Sequence, residues 1–251
     1  QKFSSLEYNF SRLQALSYKL DLSSRIPLQV KQDRIKKLVQ KYQEKFKDFN
    51  EFSQFMGDTD KSSQNSLITI SPLVLDKYEK QLEQLNCDKG CRLLMDGMSW
   101  DIWKLIKQKL KQSLSLRLIE EGSLLAFLPT NTERQLEEVK SKGFEGRIIS
   151  PEADPRLEKD IVKFSFIDDK IHTSKADYSS LIQEIMFQTE NRLIPFLEEL
   201  PAPLPILIFA DHGFKINYNF QEKNKYQSPR YLHGGETFLE RIVPWSMIYK
   251  V

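Results

Sequence analysis

Three aspartates of the sequence close apolar runs: Asp96 ends CRLLMD, Asp168 ends KFSFID and Asp211 ends LPILIFAD. The three histidines of the chain accompany them. His212 follows Asp211 directly, His172 stands four residues after Asp168, and His233 sits in YLHGGE ahead of the last apolar run. Carboxylates gathered in one crevice repel each other and are costly to take out of water; a bound cation removes that cost. Imidazole with carboxylate is the ligand set of zinc and similar divalent ions. Six such side chains exceed the needs of one ion and suffice for two.

The elements that must position these groups follow from the apolar spacing. CRLLMD, Gly97 and the pattern WDIWKLIKQKLKQSL read as strand, turn and helix. LSLRLIEEG and SLLAFLP read as two further strands, followed by a helix from Thr132 through Val139 and a short strand in GRIIS. DIVKFSFID reads as a strand, DYSSLIQEIMFQTENRLIPFLEEL as a long helix, PAPLPILIFADHG as a buried strand and ERIVPWSMIYKV as a last β segment. Strands alternating with helices imply βαβ units and a mostly parallel sheet flanked by helices, an α/β domain over residues 91–251. Ligands of such sheets bind outside the carboxyl ends of the strands, where Asp96, Asp168 and Asp211 are expected.

Residues 1–86 read differently. Phe10, Leu13, Leu16 and Leu20, then Ile35, Leu38, Val39, Tyr42 and Phe46, fall at helical spacing, and LVLDKYEKQLEQL makes a third helical pattern. GDTDKSSQNS at 57–66 has the composition of a linker. An all-helical region ahead of the α/β domain is expected. The Lys-rich face of residues 31–47 reads as a solvated helix surface.

Composition narrows the function classes. The chain has 251 residues, with 37 Lys+Arg against 35 Asp+Glu and a net charge of +2, so bulk charge gives no argument for nucleic acid. Two cysteines, Cys87 and Cys91, cannot staple a chain of this size, and their C-x3-C spacing is not that of common zinc sites. No apolar run reaches the roughly 18 residues of a membrane span. The chain opens on Gln1, without Met and without a signal-peptide core, as a piece of a longer protein would. Trp100 and Trp103 read as helix packing.

LLMDGMSWDIW, LPTNTERQ, FIDDKIHTSK, IFADHGF and YLHGGETFLERIVP occur in the order seen in PglZ domains. Residues 91–251 thus resemble that family of the alkaline phosphatase superfamily, whose relatives include nucleotide phosphodiesterases and cofactor-independent phosphoglycerate mutases. DHGF followed by LHGG and a Val-Pro strand is the most specific part. The resemblance implies an alkaline-phosphatase-like fold and two divalent metal ions, zinc or manganese. It places one ion among Asp168, His172 and His233, the other among Asp96, Thr132, Asp211 and His212. In PTNT, Thr132 aligns with the nucleophile, with Thr130 as the second candidate; Asp169 is the alternative to Asp168. Glu133, Arg134 and Gln135 depart from the small or hydroxyl residues that usually follow the nucleophile, and Ile171 replaces a usual Gly.

The implied activity is that of a metal-dependent phosphoesterase. It would act on nucleotide or oligonucleotide diesters through a covalent phospho-Thr132 intermediate, with Lys215 and Arg230 as candidates for holding substrate oxygens. The family occurs in phage-defence and bacterial signalling systems, which implies a cytoplasmic setting and protein partners there, with no membrane partner. The rival expectation is an interaction module of such a complex with negligible turnover, motivated by the departures around Thr132 and by the basic helical region.

Overall fold

The computed structural model describes residues 72–87, 89–141, 146–153, 160–217, 229–235 and 238–251, together with Val30, Lys37 and Phe220. The helices expected before residue 57 and the linker at 57–66 lie outside the described residues, save for Val30 and Lys37, which are helical. The third helical pattern is helix α1, Pro72–Gln84. It packs on the sheet, and its Tyr78 belongs to the same core as the strands. Gly90 permits this: a Cβ there would stand 2.0 Å from the Tyr78 hydroxyl.

Among the described residues six strands form one sheet, in the order β2-β8-β5-β1-β4-β3. They are β1 Cys91–Met95, β2 Leu116–Leu125, β3 Arg147–Ile149, β4 Asp160–Phe164, β5 Leu204–Ala210 and β8 Ile242–Lys250. β5, β1, β4 and β3 pair in parallel, and β8 runs antiparallel to both β5 and β2. The α/β architecture with a mostly parallel sheet is therefore as expected. β1 and β5 are buried along their whole lengths, as befits central strands covered on both faces. Helices α2 (Trp100–Leu110), α3 (Thr132–Ser141), α4 (Phe166–Thr173), α5 (Tyr178–Gln188), α6 (Ile194–Glu199) and α7 (Phe238–Arg241) flank the sheet, with Trp100 and Trp103 of α2 buried in the core. A two-residue ladder joins β6 (Lys215–Ile216) to β7 (Tyr231–Leu232).

Three local readings are corrected. The two strands expected around Gly122 are one, β2, whose register shifts between Leu118 and Glu120. Gly122 does not break it but lets it approach Trp245, whose indole nitrogen lies 2.6 Å from where a Cβ would be. The strand expected through Asp168 ends at Phe164, and Asp168 stands in the first turn of α4. Ile167 and Ile171 are both fully buried at a spacing of four, so a helical face wins over continued alternation. The long helix expected over 177–200 passes through a π turn at Thr189–Leu193 before α6. Pro195 lacks the N–H that a regular helix needs there.

The register sets the height of the site. Met95 is paired with Ala210 on one side and Phe164 on the other. Asp96, Asp211 and the entry to α4 therefore emerge side by side at the carboxyl edge of three adjacent strands.

Candidate metal centre

Asp96 leaves β1 just as the chain turns at Gly97, which has φ +76°. That left-handed conformation suits glycine, and a Cβ would also press on Ile171 at 3.0 Å. The turn aims the Gly97 N–H at Asp211 Oδ1, 3.1 Å away, and the His212 N–H donates to the same oxygen at 2.9 Å. Asp211 thus keeps Oδ2 for the crevice. The His212 Nδ1–H faces the Gly213 carbonyl at 3.1 Å. This backbone partner fixes the ring so that Nε2 points inward, the arrangement that metal-binding histidines favour. Nε2 lies 3.3 Å from Asp96 Oδ1 and 3.8 Å from Asp211 Oδ2. Asp96, Asp211 and His212 are buried and form one group able to hold a metal ion.

Asp168, His172 and His233 form a second such group. Asp168 and His172 share one face of α4 by their i, i+4 spacing, at 3.3 Å. His233 comes from the turn after β7. Tyr231 is buried there, and its hydroxyl donates to the Ala176 carbonyl at 2.8 Å. Gly234 has φ +90°, so the turn needs glycine for its backbone. The His233 and His172 Nε2 atoms stand 2.9 Å apart, and His233 Nε2 is 3.5 Å from Asp168 Oδ1. The His233 ring stacks on His212 at 4.3 Å, which joins the two groups. Asp168 Oδ1 is also 4.0 Å from His212 Nε2.

The fit to a cation can be read from this donor set. Asp168 Oδ1 is buried and receives no hydrogen bond, although imidazole nitrogens surround it. A buried carboxylate oxygen without a donor is unfavourable, and a cation coordinated by these same atoms satisfies it. Of the seven residues expected as ligands, the six carboxylates and imidazoles fall into these two groups, and the seventh, Thr132, adjoins the first of them.

The segment between β2 and α3 shows a division of labour. Gln135 is buried, and its amide accepts the Phe127 N–H at 2.7 Å and donates to the Phe127 carbonyl at 2.9 Å, which pins the loop. Asn131 caps α3, its Oδ1 accepting the Arg134 N–H at 2.9 Å. Thr132, in the first turn, points its hydroxyl at Asp211 Oδ2 (2.6 Å) and Asp96 Oδ1 (3.1 Å). Thr130 faces elsewhere: its hydroxyl accepts the Gly234 N–H at 3.1 Å and donates to the Gly235 carbonyl at 2.9 Å. Thr130 thus clamps the turn that presents His233, while Thr132 borders the buried ligand group. Glu133 is exposed to solvent, and Asp169, the alternative to Asp168, lies outside both groups.

Lys215 is engaged by the buried Glu240 at 3.0 Å, and Glu240 also accepts the Gly235 N–H at 2.9 Å. Arg230 lies over the Phe220 ring at 5.3 Å. Of the two candidates for substrate oxygens, Lys215 thus has a carboxylate partner and Arg230 an aromatic one.

Sequence reasoning missed Lys163. Its ammonium lies 2.6 Å from Asp96 Oδ2. The signal was present, since Lys163 is a charge between the apolar Val162 and Phe164 near the carboxyl end of the strand DIVKF. The carboxylates were expected to need a metal to be tolerable, but the protein supplies cations of its own. Burial alone would push Asp96 up, yet hydrogen bonds from His212 and Lys163 hold it well below the usual carboxylate range. Burial lowers His212, but Asp211 and Asp96 outweigh it and raise the imidazole to about 9. Burial and then the Asp96 charge push Asp168 up, and burial is the main cause of the rise at Asp211. His233 is pushed down, by burial first and then by the neighbouring His212.

No helix among the described residues is long and apolar enough to cross a membrane. Comparison of the sequence with protein-family models and with curated proteins found no match in either.

Proposed function

We propose that the chain is a metal-dependent phosphoesterase of PglZ type within the alkaline phosphatase superfamily, acting on nucleotide or oligonucleotide phosphodiesters. The observation that carries this reading is the Thr132 hydroxyl, which borders Asp96 and Asp211 at the head of a helix, against a buried Asp-Asp-His group that adjoins a second Asp-His-His group. Asp96, Asp211 and His212 would hold one divalent ion and Asp168, His172 and His233 the other. Zinc suits the imidazole-rich set, with manganese as the second choice. When bound, two such ions supply the positive charge that stabilises attacking and leaving oxygens in an in-line phosphoryl displacement.

The residues of the chain do the rest. Asp211 Oδ2, the nearer acceptor at 2.6 Å, takes the hydrogen bond of the Thr132 hydroxyl and directs its lone pairs away from the carboxylates. The head of α3 adds the partial positive charge of its helix dipole beside the same oxygen. Thr132 Oγ1 attacks phosphorus as its proton passes to Asp211 Oδ2; the Oγ1–P bond forms, the P–O bond to the leaving group breaks, and that proton ends on the departing oxygen, which leaves as an alcohol. Water then cleaves the phosphothreonine and returns the hydroxyl. Glu133 is exposed to solvent, and water screens its charge, which supports the phosphoesterase reading over that of an inactive interaction module. A bacterial defence or signalling role in the cytoplasm belongs to the same proposal and rests on the motif order.

The test loads the purified protein with zinc or manganese and offers a chromogenic diester, a chromogenic monoester and short oligonucleotides. Diester turnover that is lost in Thr132→Ala with both ions retained supports the reading. Ions held without turnover of any substrate would move the chain to the interaction module, and no ion held at stoichiometric supply would overturn the site.

A further inference from the structure

We infer that Lys163 is a phosphate-binding residue of this site, placed to hold a non-bridging oxygen of the phosphoryl group that Thr132 attacks; this rests on the phosphoesterase reading. Lys163 stands on β4 opposite Leu94, one position short of the strand end, so its ammonium reaches the carboxyl edge diagonally beside Asp96. A quarter of its side chain is exposed. The two oxygens of Asp96 face different ways: Oδ1 lies 3.3 Å from His212 and 3.1 Å from Thr132, while Oδ2 lies 2.6 Å from Lys163. One carboxylate therefore bridges the candidate nucleophile and the ammonium, and this limits how far apart they stand.

Lysine carries three N–H donors, and Asp96 takes one of them. The remaining donors belong to a group at the open side of the crevice, not to a sealed core pair. A lysine acts on phosphate as a fixed positive charge. Lys215 pairs with Glu240 and Arg230 lies over Phe220, whereas the partner of Lys163 is Asp96, a residue of the site itself that also touches the Thr132 hydroxyl. Lys163 also anchors Asp96, and a purely anchoring role is the competing account.

The experiment uses the metal-loaded protein and inorganic phosphate as probe. Calorimetric titration gives phosphate affinity, metal analysis gives ion content, and steady-state kinetics on the diester give kcat and KM separately. Lys163→Met is expected to retain both ions, weaken phosphate binding about tenfold or more and raise KM, while Lys163→Arg keeps most of the affinity. Should Lys163→Met not fold, Lys163→Gln, which retains a donor to Asp96 without the charge, takes its place with the same expectation. Unchanged phosphate affinity in the neutral variant overturns the inference, and so does a loss of phosphate binding that accompanies loss of an ion, since Lys163 would then act only through Asp96. Wild-type protein that holds ions and turns over diester while its neutral variant behaves identically sinks the inference alone. Wild-type protein without turnover sinks the phosphoesterase reading beneath it.

Discussion

Lys163 and Asp96 meet at 2.6 Å across the neighbouring strands β4 and β1, and this pairing changes what a metal must do for the fold. Three acidic side chains converge, but Lys163 and a protonated His212 set two positive charges among them. The metal-free chain is therefore expected to stay folded, with ions adding stability through binding to the native state. At an ion concentration 100 times Kd that addition is about 2.7 kcal/mol. Chelator-stripped protein should keep its far-ultraviolet circular dichroism and a cooperative thermal transition, and zinc should raise the midpoint by several degrees. Loss of secondary structure on stripping would contradict the internal neutralisation described here.

Thr130 and Thr132 stand two residues apart and face different partners, so their variants should fail in different ways. Thr132→Ala should retain both ions and lose diester turnover by about a thousandfold or more, whereas Thr132→Ser, which keeps the hydroxyl, should retain much of it. Thr130→Ala removes both hydrogen bonds to the Gly234–Gly235 turn and should loosen His233. The expected result is weaker occupancy of the Asp168, His172 and His233 group, measured by metal titration, with the Asp96, Asp211 and His212 group still loaded. If Thr130→Ala abolished turnover with both ions in place, the assignment of the two threonines would have to be exchanged.

The legibility of this site in the sequence follows its physical origin. Asp96 and Asp211 could be placed because apolar runs define β1 and β5, and a residue that ends a buried strand stands at the sheet edge. His172 was tied to Asp168 by spacing alone, which holds on a helix. Asp168 itself was set on the wrong element: Phe164 and Phe166 continue the alternation of a strand, and the decision for a helix came from the burial of Ile167 and Ile171 against the rest of the core. The partners of Lys163 and of the Thr130 clamp could not be read from the sequence for a related reason. Each acts on a residue distant in sequence, Asp96 and Gly234, and only the register of β1 with β4 and the path of the β7 turn bring them together. The alkaline-phosphatase likeness rests on motif order, while the six-stranded mostly parallel sheet is present in the structure itself.

The two thiols offer a check of β1 that does not depend on the activity. Burial, against a small opposing effect of Arg92, pushes the Cys91 thiol up to about 12, whereas Cys87 is partly exposed in the turn after α1. The thiolate is the reactive form, so at pH 8 only roughly one Cys91 in ten thousand is ionised, and it lies inside the sheet. Native protein should therefore react with one equivalent of a thiol reagent at pH 8, and denatured protein with two. Peptide mapping should find the native label on Cys87. Rapid native labelling of Cys91 would show that the amino end of β1 is not packed against Tyr78 as described.

The raised His212 gives the metal centre a pH dependence whose sign follows from which form binds. Its imidazole is surrounded by Asp96, Asp211 and Asp168, with the His233 ring stacked on it and Lys163 beyond Asp96. In the metal-free chain the proton leaves His212 near pH 9, above the 6.5 of an unperturbed imidazole. As the folded value is the higher one, the stability due to this proton is fully present below about pH 6.5 and is lost as pH rises through about 9. An incoming ion needs the neutral ring and must displace that proton. Zinc affinity at the Asp96, Asp211 and His212 group should therefore climb roughly tenfold per pH unit from about 7 towards 9 and flatten above it. Calorimetric titration at pH 7.5 in buffers of different ionisation enthalpy should find about one proton released per ion bound there. In His212→Asn the slope should largely vanish along with most of the affinity. A wild-type affinity flat between pH 7 and 9 would show that His212 is already neutral, and that Asp96 and Asp211 do not hold its proton as the geometry requires.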